Sequence, residues 1–98
     1  MNDRELLEAA AKAAENGAVW YAVLGMGIDG GGPFTTLWNP LEDDGDALRL
    51  AVRLNIPVIP YDDETSAGTF GLVAKNWGSK EANTRRAIVR AAAAMAVG

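Results

Sequence analysis

Apolar and polar positions along the chain follow two periods, and the changes of period mark out the elements. From Asn2 to Asn16 the period is helical, with Leu6, Leu7, Ala10, Ala11 and Ala14 recurring every three or four residues between charged neighbours. Asn2 with Glu5 three residues on is a capping box, and Asn16-Gly17 supplies a left-handed exit. AVWYAVLG (18–25) is a dense β-branched and aromatic run and predicts a strand with two apolar faces. MGIDGGGP reads as a glycine-rich connection, and PFTTLW (33–38) as a second strand, antiparallel to the first. Asn39-Pro40 ends it, because proline offers no amide proton and pushes its predecessor out of helical dihedrals.

A second helix is expected over 43–55, with Leu48, Ala51 and Val52 as its inner stripe, Leu41 and Leu54 near its ends, and Arg49 and Arg53 four apart on one face. IPVIPY (56–61) predicts a short strand, placed at an edge by its two prolines. DDETSAG (62–68) reads as a polar turn, TFGLVAK (69–75) as a return strand, and Ser79 as the cap of a last helix over 80–96. That helix is expected to turn Thr84, Ile88, Ala91, Ala92 and Met95 inward and its arginines outward. The resulting order, α-β-β-α-β-β-α, predicts an α+β fold in which one four-stranded antiparallel sheet packs with helices in a two- or three-layer sandwich. No repeat is evident, although the two ββα halves are compatible with a worn one.

Ninety-eight residues bound this to a single domain spanning 1–98. With 49% apolar and 22% charged residues the composition is that of an ordinary globular chain. Cysteine and histidine are both lacking, which removes disulfides, thiolate chemistry, the commonest general base and the commonest metal ligand. The N-terminus has no signal-type apolar core and no run suffices for a membrane span, so the cytoplasm is the expected compartment. The formal charge of −4 is unevenly spread: residues 1–74 hold four basic and twelve acidic side chains, residues 75–98 five basic and one acidic. A basic last helix docked among acidic neighbours accounts for this, as does a patch for a partner.

Three motifs invite chemistry. Gly25, Gly27 and Gly30 match GxGxxG, but a turn and a strand follow where a dinucleotide site needs a helix N-terminus. Glu42, Asp43, Asp44 and Asp46 suggest a cation, yet with Gly45 as the sixth position of a calcium loop the first and twelfth would be Pro40 and Ala51, which cannot ligate through their side chains. A helix start explains the acids better: Asp43 or Asp44 would cap and Asp46 would face the amide protons of the first turn. Trp38 either anchors the core or stands exposed, and Asn39 can bridge strand end and helix. Ser66, Ser79 and the threonines have no histidine to activate them. Lys75 and Lys80 look exposed, and no feature sets a carboxylate pair in an apolar pocket. Nucleic acid has only the basic helix in its favour.

Two stretches, WNPLEDDGDALRLAVRL (38–54) and TRRAIVRAAAAMA (84–96), together with DRELLEAAAKAA (3–14), resemble matching stretches of small proteins encoded by tailed bacteriophages and prophages of proteobacteria. The resemblance covers about two-fifths of the chain. It implies a compact helix–sheet sandwich, a non-virion accessory role in an infected bacterial cytoplasm, and no cofactor; no catalytic residue is carried over. The leading expectation is therefore binding without turnover. The partner would be a host or phage protein, with a homodimer possible and neither membrane nor nucleic acid involved. Trp38, Asn39, Asp43 and Asp44 form one candidate surface and Arg85, Arg86 and Arg90 another. The alternatives are a carboxylate-based divalent-metal or small-ligand protein or enzyme, and a virion assembly component.

Overall fold

The three helices form where period and caps agree. In the computed structural model, which describes residues 2–21, 25–28, 36–60, 64–67, 72–75 and 78–97, α1 spans Asp3–Ala14, α2 Asp44–Arg53 and α3 Lys80–Val97. Asn2 and Glu5 close the capping box that starts α1. Its exit differs from expectation: Glu15 already takes the left-handed conformation at φ 52°, ahead of Gly17 at φ 76°. Asp43, not Asp44, caps α2 by accepting from the amide of Asp46 at 2.8 Å. Ser79 caps α3, its hydroxyl accepting from the amide of Ala82 at 3.0 Å.

The expected single four-stranded sheet is not found. The element order is α1, β1 (Val19–Tyr21), β2 (Gly25–Ile28), β3 (Thr36–Leu37), α2, β4 (Val58–Pro60), β5 (Glu64–Ala67), β6 (Leu72–Lys75), α3. The strands form two separate antiparallel sheets of three, ordered β1-β2-β3 and β4-β5-β6. All are short, so the fold rests on its helices, which run to 12, 10 and 18 residues. The run 18–25 is not one strand. Val19 pairs with Gly27 and Tyr21 with Gly25, so the chain has reversed by Gly25 and MGI is a strand. The segment 62–68 likewise contains β5, where a polar turn is expected. In both places glycines or small polar residues occupy central strands, positions that pairing on both sides holds and that propensity alone does not predict. Gly25 takes φ 86°, where a side chain would be strained. The connections 29–35, 61–63 and 68–71 lie outside the described residues.

A worn repeat emerges from these boundaries. Ala14 and Arg53, Val19 and Val58, Gly25 and Glu64, and Ile28 and Ala67 are each 39 residues apart and hold equivalent places in the element order. Trp38 and Trp77 keep the same spacing in sequence. The halves differ by one step of register: Val19 faces Gly27, whereas Val58 faces Ala67 and not Ser66. A shift of one residue exchanges the face that a strand shares with its neighbour, so the two hairpins are not superimposable strand for strand.

The core lies where α3 meets α1, α2 and the second sheet. Leu6, Leu7, Ala10, Ala11 and Ala14 are all buried, as their spacing predicts. Ala10, Ala87 and Ala92 are fully enclosed, and small side chains at such positions let helices approach closely. On α3 the buried set includes Ile88, Val89 and Ala91 through Ala93, while Met95 is half exposed and Thr84 only partly covered. On α2 the inner stripe is Ala47, Leu50 and Ala51, not Leu48 and Val52. Those two stand 64% and 67% exposed.

Candidate functional site

The segment Trp38–Arg53 is built around the entry to α2. The Trp38 amide donates to the Met26 carbonyl at 3.0 Å, extending the strand pairing past β3, and its side chain is buried. Trp38 is thus a core anchor and not a surface candidate. Asn39 then bridges strand and helix in the way its residue type allows. Its side-chain oxygen accepts from the Leu41 amide at 3.1 Å, and its carbonyl accepts from the amides of Glu42 and Asp43 at 3.1 and 2.8 Å. Its own amide donates to the Asp46 carboxylate at 2.9 Å.

Each central acid of the run is engaged within the chain, and Arg49 reaches both Asp43, at 3.9 Å, and Asp46. Asp43 caps the helix. Asp44 meets Arg85 of α3, Oδ1 to Nη1, at 2.6 Å. Asp46 holds the Asn39 amide with one oxygen and Arg49 with the other, the latter at 2.6 Å. Gly45 leaves room for this arrangement, since a Cβ there would stand 3.2 Å from both Arg49 Nη1 and Asp43 Oδ2. The three carboxylates are taken up by backbone amides and by Arg49 and Arg85, donors that a cation would have to displace. Among the described residues no cluster of three or more acidic side chains is placed to hold a metal ion. Gly25 and Gly27, two glycines of the GxGxxG match, lie in β2 opposite Tyr21 and Val19, hence in a sheet and not in a phosphate-binding turn; Gly30 lies outside the described residues.

Two of the three arginines of α3, Arg85 and Arg86, do not face outward. Arg85 also donates through Nε to the Leu41 carbonyl at 2.8 Å. Arg86 meets Asp3 at 2.8 Å. Their side chains are only 17% and 14% exposed. Asp44 and Asp3 are the first residues of α2 and α1, so neighbouring arginines of one helix grip the N-termini of the other two. Arg90 is exposed, and it too is engaged within the chain. The candidate residues therefore do not form one surface. Asn39, Asp43, Asp44 and Arg85 belong to one constellation, joined through α2; Arg86 lies at α1, and Trp38 is interior.

Two concavities flank this constellation. One, of about 350 Å³, opens between α2, α3 and β4; Leu48, Ala51, Val58 and Ile88 give it apolar walls, with Asp44 and Arg85 at its side. The other, of about 230 Å³, has Trp20, Met26 and Trp38 in its wall and Asp3 and Glu42 beside them. Arg4 lies over the Trp20 ring at 5.1 Å, a cation–π contact made within the chain. The first groove was not legible from sequence, because its walls come from α2, β4 and α3 and meet only when α2 docks with Leu48 turned outward. No family model, curated protein or solved structure matches the chain. No helix among the described residues is long and apolar enough to cross a membrane.

Proposed function

We propose that the protein acts by binding another protein and not by turning over a substrate. One observation carries the reading: Leu48 and Val52 stand one turn apart on α2, both mostly exposed, with Leu48 forming part of an apolar groove. Single exposed aliphatics are common, but two adjacent ones beside a groove form the kind of surface that contacts between proteins use. Charged side chains border the groove at Asp44, Lys80, Glu81 and Arg85, as in an apolar contact with a polar rim. The sequence inventory agrees, having no histidine or cysteine to serve as base, nucleophile or soft ligand. The resemblance to small phage and prophage proteins supports an accessory role in the cytoplasm of an infected bacterium.

On this reading the binding surface is the outer face of α2, with Asp44 at its margin, in place of the two surfaces expected from sequence, one through Trp38, Asn39, Asp43 and Asp44 and the other through the arginines of α3. Affinity capture from phage-infected cells with wild-type, Leu48→Asp and Arg90→Glu baits tests it. Partners retained by wild-type and Arg90→Glu but lost with Leu48→Asp are expected. Recovery of the same partners with all three baits would contradict the assignment.

A further inference from the structure

We infer that the cavity walled by Trp20, Met26 and Trp38 binds a methylated ammonium group, and that Arg4 is the resident cation which this ligand displaces. The site is separate from the outer face of α2. Its walls follow from strand register. Trp20 pairs with Met26, and the pairing of Gly27 with Leu37 continues to set Met26 opposite Trp38. Residues directly opposite across strands share a face, so two indoles flank one thioether in a single row. Trp38, at 7% exposed, is the deep wall and Trp20 the partly open one. An indole face attracts cations through its ring quadrupole, and aromatic cages for quaternary ammonium groups use this attraction. The chain itself displays it: the Arg4 guanidinium lies 5.1 Å from the Trp20 ring centroid.

Charge favours a cation at this place. Arg4 is paired with Glu8 at 2.7 Å and Asp3 with Arg86 at 2.8 Å, so these charges cancel in pairs. Glu42 also lines the cavity, and its exposed carboxylate is engaged by no described residue. The mouth therefore keeps one negative charge beside aromatic walls. The walls narrow the kind of cation. A primary ammonium brings three N–H donors, and indole, thioether and aliphatic carbon leave such donors without strong acceptors. The Asn39 side-chain oxygen, also at the cavity, already accepts from the Leu41 amide. Methyl groups on nitrogen need no acceptor and pack against ring and sulfur. The volume of about 230 Å³ lies below the roughly 300–1,000 Å³ of pockets for drug-sized ligands, and so suits a headgroup. Arg4 has a side chain 56% exposed, so it can leave the ring without opening the core.

Titration of the wild-type chain with choline at constant ionic strength, read at the indole N–H resonances, tests this. Saturable shifts of the Trp20 and Trp38 signals are expected. Dimethylbutanol, the uncharged carbon isostere of choline, should bind several-fold more weakly, since it has the shape without the charge. Arg4→Ala should bind choline about two- to five-fold more tightly, the equivalent of one exposed cation–π contact removed from competition. Glu42→Gln should weaken binding, and Trp20→Leu should abolish it. Trimethyllysine amide forms a second arm. Preference for it assigns the ammonium group to a modified side chain of a partner, and preference for choline assigns it to a free or lipid-borne headgroup; either supports the site. Absence of shifts with both probes, equal affinity for dimethylbutanol, or an Arg4→Ala variant that binds no tighter than wild type would overturn the inference. Arg4 and Glu42 are exposed, so their variants are expected to keep the wild-type circular dichroism, and the outcome does not hang on whether Trp20→Leu folds.

Discussion

Arg85 and Asp44 meet at 2.6 Å across 41 residues of sequence, joining the body of α3 to the first residue of α2. The same arginine donates to the Leu41 carbonyl, so one side chain secures both the helix start and the turn before it. The two partners are unequal: the Arg85 side chain is mostly covered, whereas that of Asp44 is 72% exposed. Removing the arginine leaves a carbonyl without its charged donor, while removing the aspartate leaves the arginine its second contact. Arg85→Ala is therefore expected to cost about 1–3 kcal/mol. Asp44→Ala should cost under about 1 kcal/mol, the usual range for a solvent-screened pair. Urea denaturation of the two variants and their double mutant checks both values. Equal losses would mean that the Leu41 contact contributes nothing.

Asp43 provides the cap of α2 and holds the Asp46 amide at 2.8 Å. Asp43→Ala is expected to lose about 1 kcal/mol, and Asp43→Ser or Asp43→Asn to retain most of it, because those side chains also cap. The comparison separates an oxygen acceptor from a negative charge. A loss in Asp43→Asn as large as in Asp43→Ala would assign the effect to charge.

The facing of α2 gives a prediction that the period alone does not make. Leu50 is 3% exposed and Leu48 is 64% exposed. Leu50→Ala should cost about 2–5 kcal/mol as a core truncation. Leu48→Ala should stay within about 0.5 kcal/mol, apart from any coupling to self-association, which dilution removes. The reverse order would turn the helix by a residue and abolish the groove.

Alanine at the α1–α3 contact is a packing requirement. Ala10 and Ala92 are fully enclosed. Ala10→Leu is expected to destabilise by about 1–3 kcal/mol, since added methylenes in a filled core force side chains from their rotamers. Thermal unfolding with a reversibility check measures it. A stabilised Ala10→Leu would mean that the two helices stand further apart than described.

Much of this architecture is legible in the residues, and the misses have identifiable causes. The helices are readable because period and caps coincide: Asn2 with Glu5, Asp43 with Asp46, and Ser79 all sit where an amide needs an acceptor. The side of α2 that turns inward is not readable. ALRLAVRL offers two apolar stripes, one through Ala47, Leu50, Ala51 and Leu54 and the other through Leu48, Ala51 and Val52, and spacing cannot choose between them. Only docking on α3, with Arg85 holding Asp44, decides it. The central strands β2 and β5 are hidden for another reason. Their four-residue segments GMGI and ETSA hold few strand-forming side chains, and their conformation comes from neighbours on both sides. The arginines of α3 resemble a solvated face in sequence because their partners, Asp3 and Asp44, lie 83 and 41 residues away.

The acids near position 44 organise the start of α2 through its cap and its ion pairs, which leaves no role there for a cation. Chemical denaturation of the wild-type chain and of an Asp43→Ala, Asp46→Asn variant, each with chelator and with magnesium or calcium in excess, tests it directly. Ligands that bind only the folded state raise its stability in proportion to occupancy. The expected result is a variant less stable by about 1–3 kcal/mol, with both proteins indifferent to either metal. A wild-type chain stabilised by the metal, with that gain lost in the variant, would contradict the claim and restore a metal site at the mouth of α2.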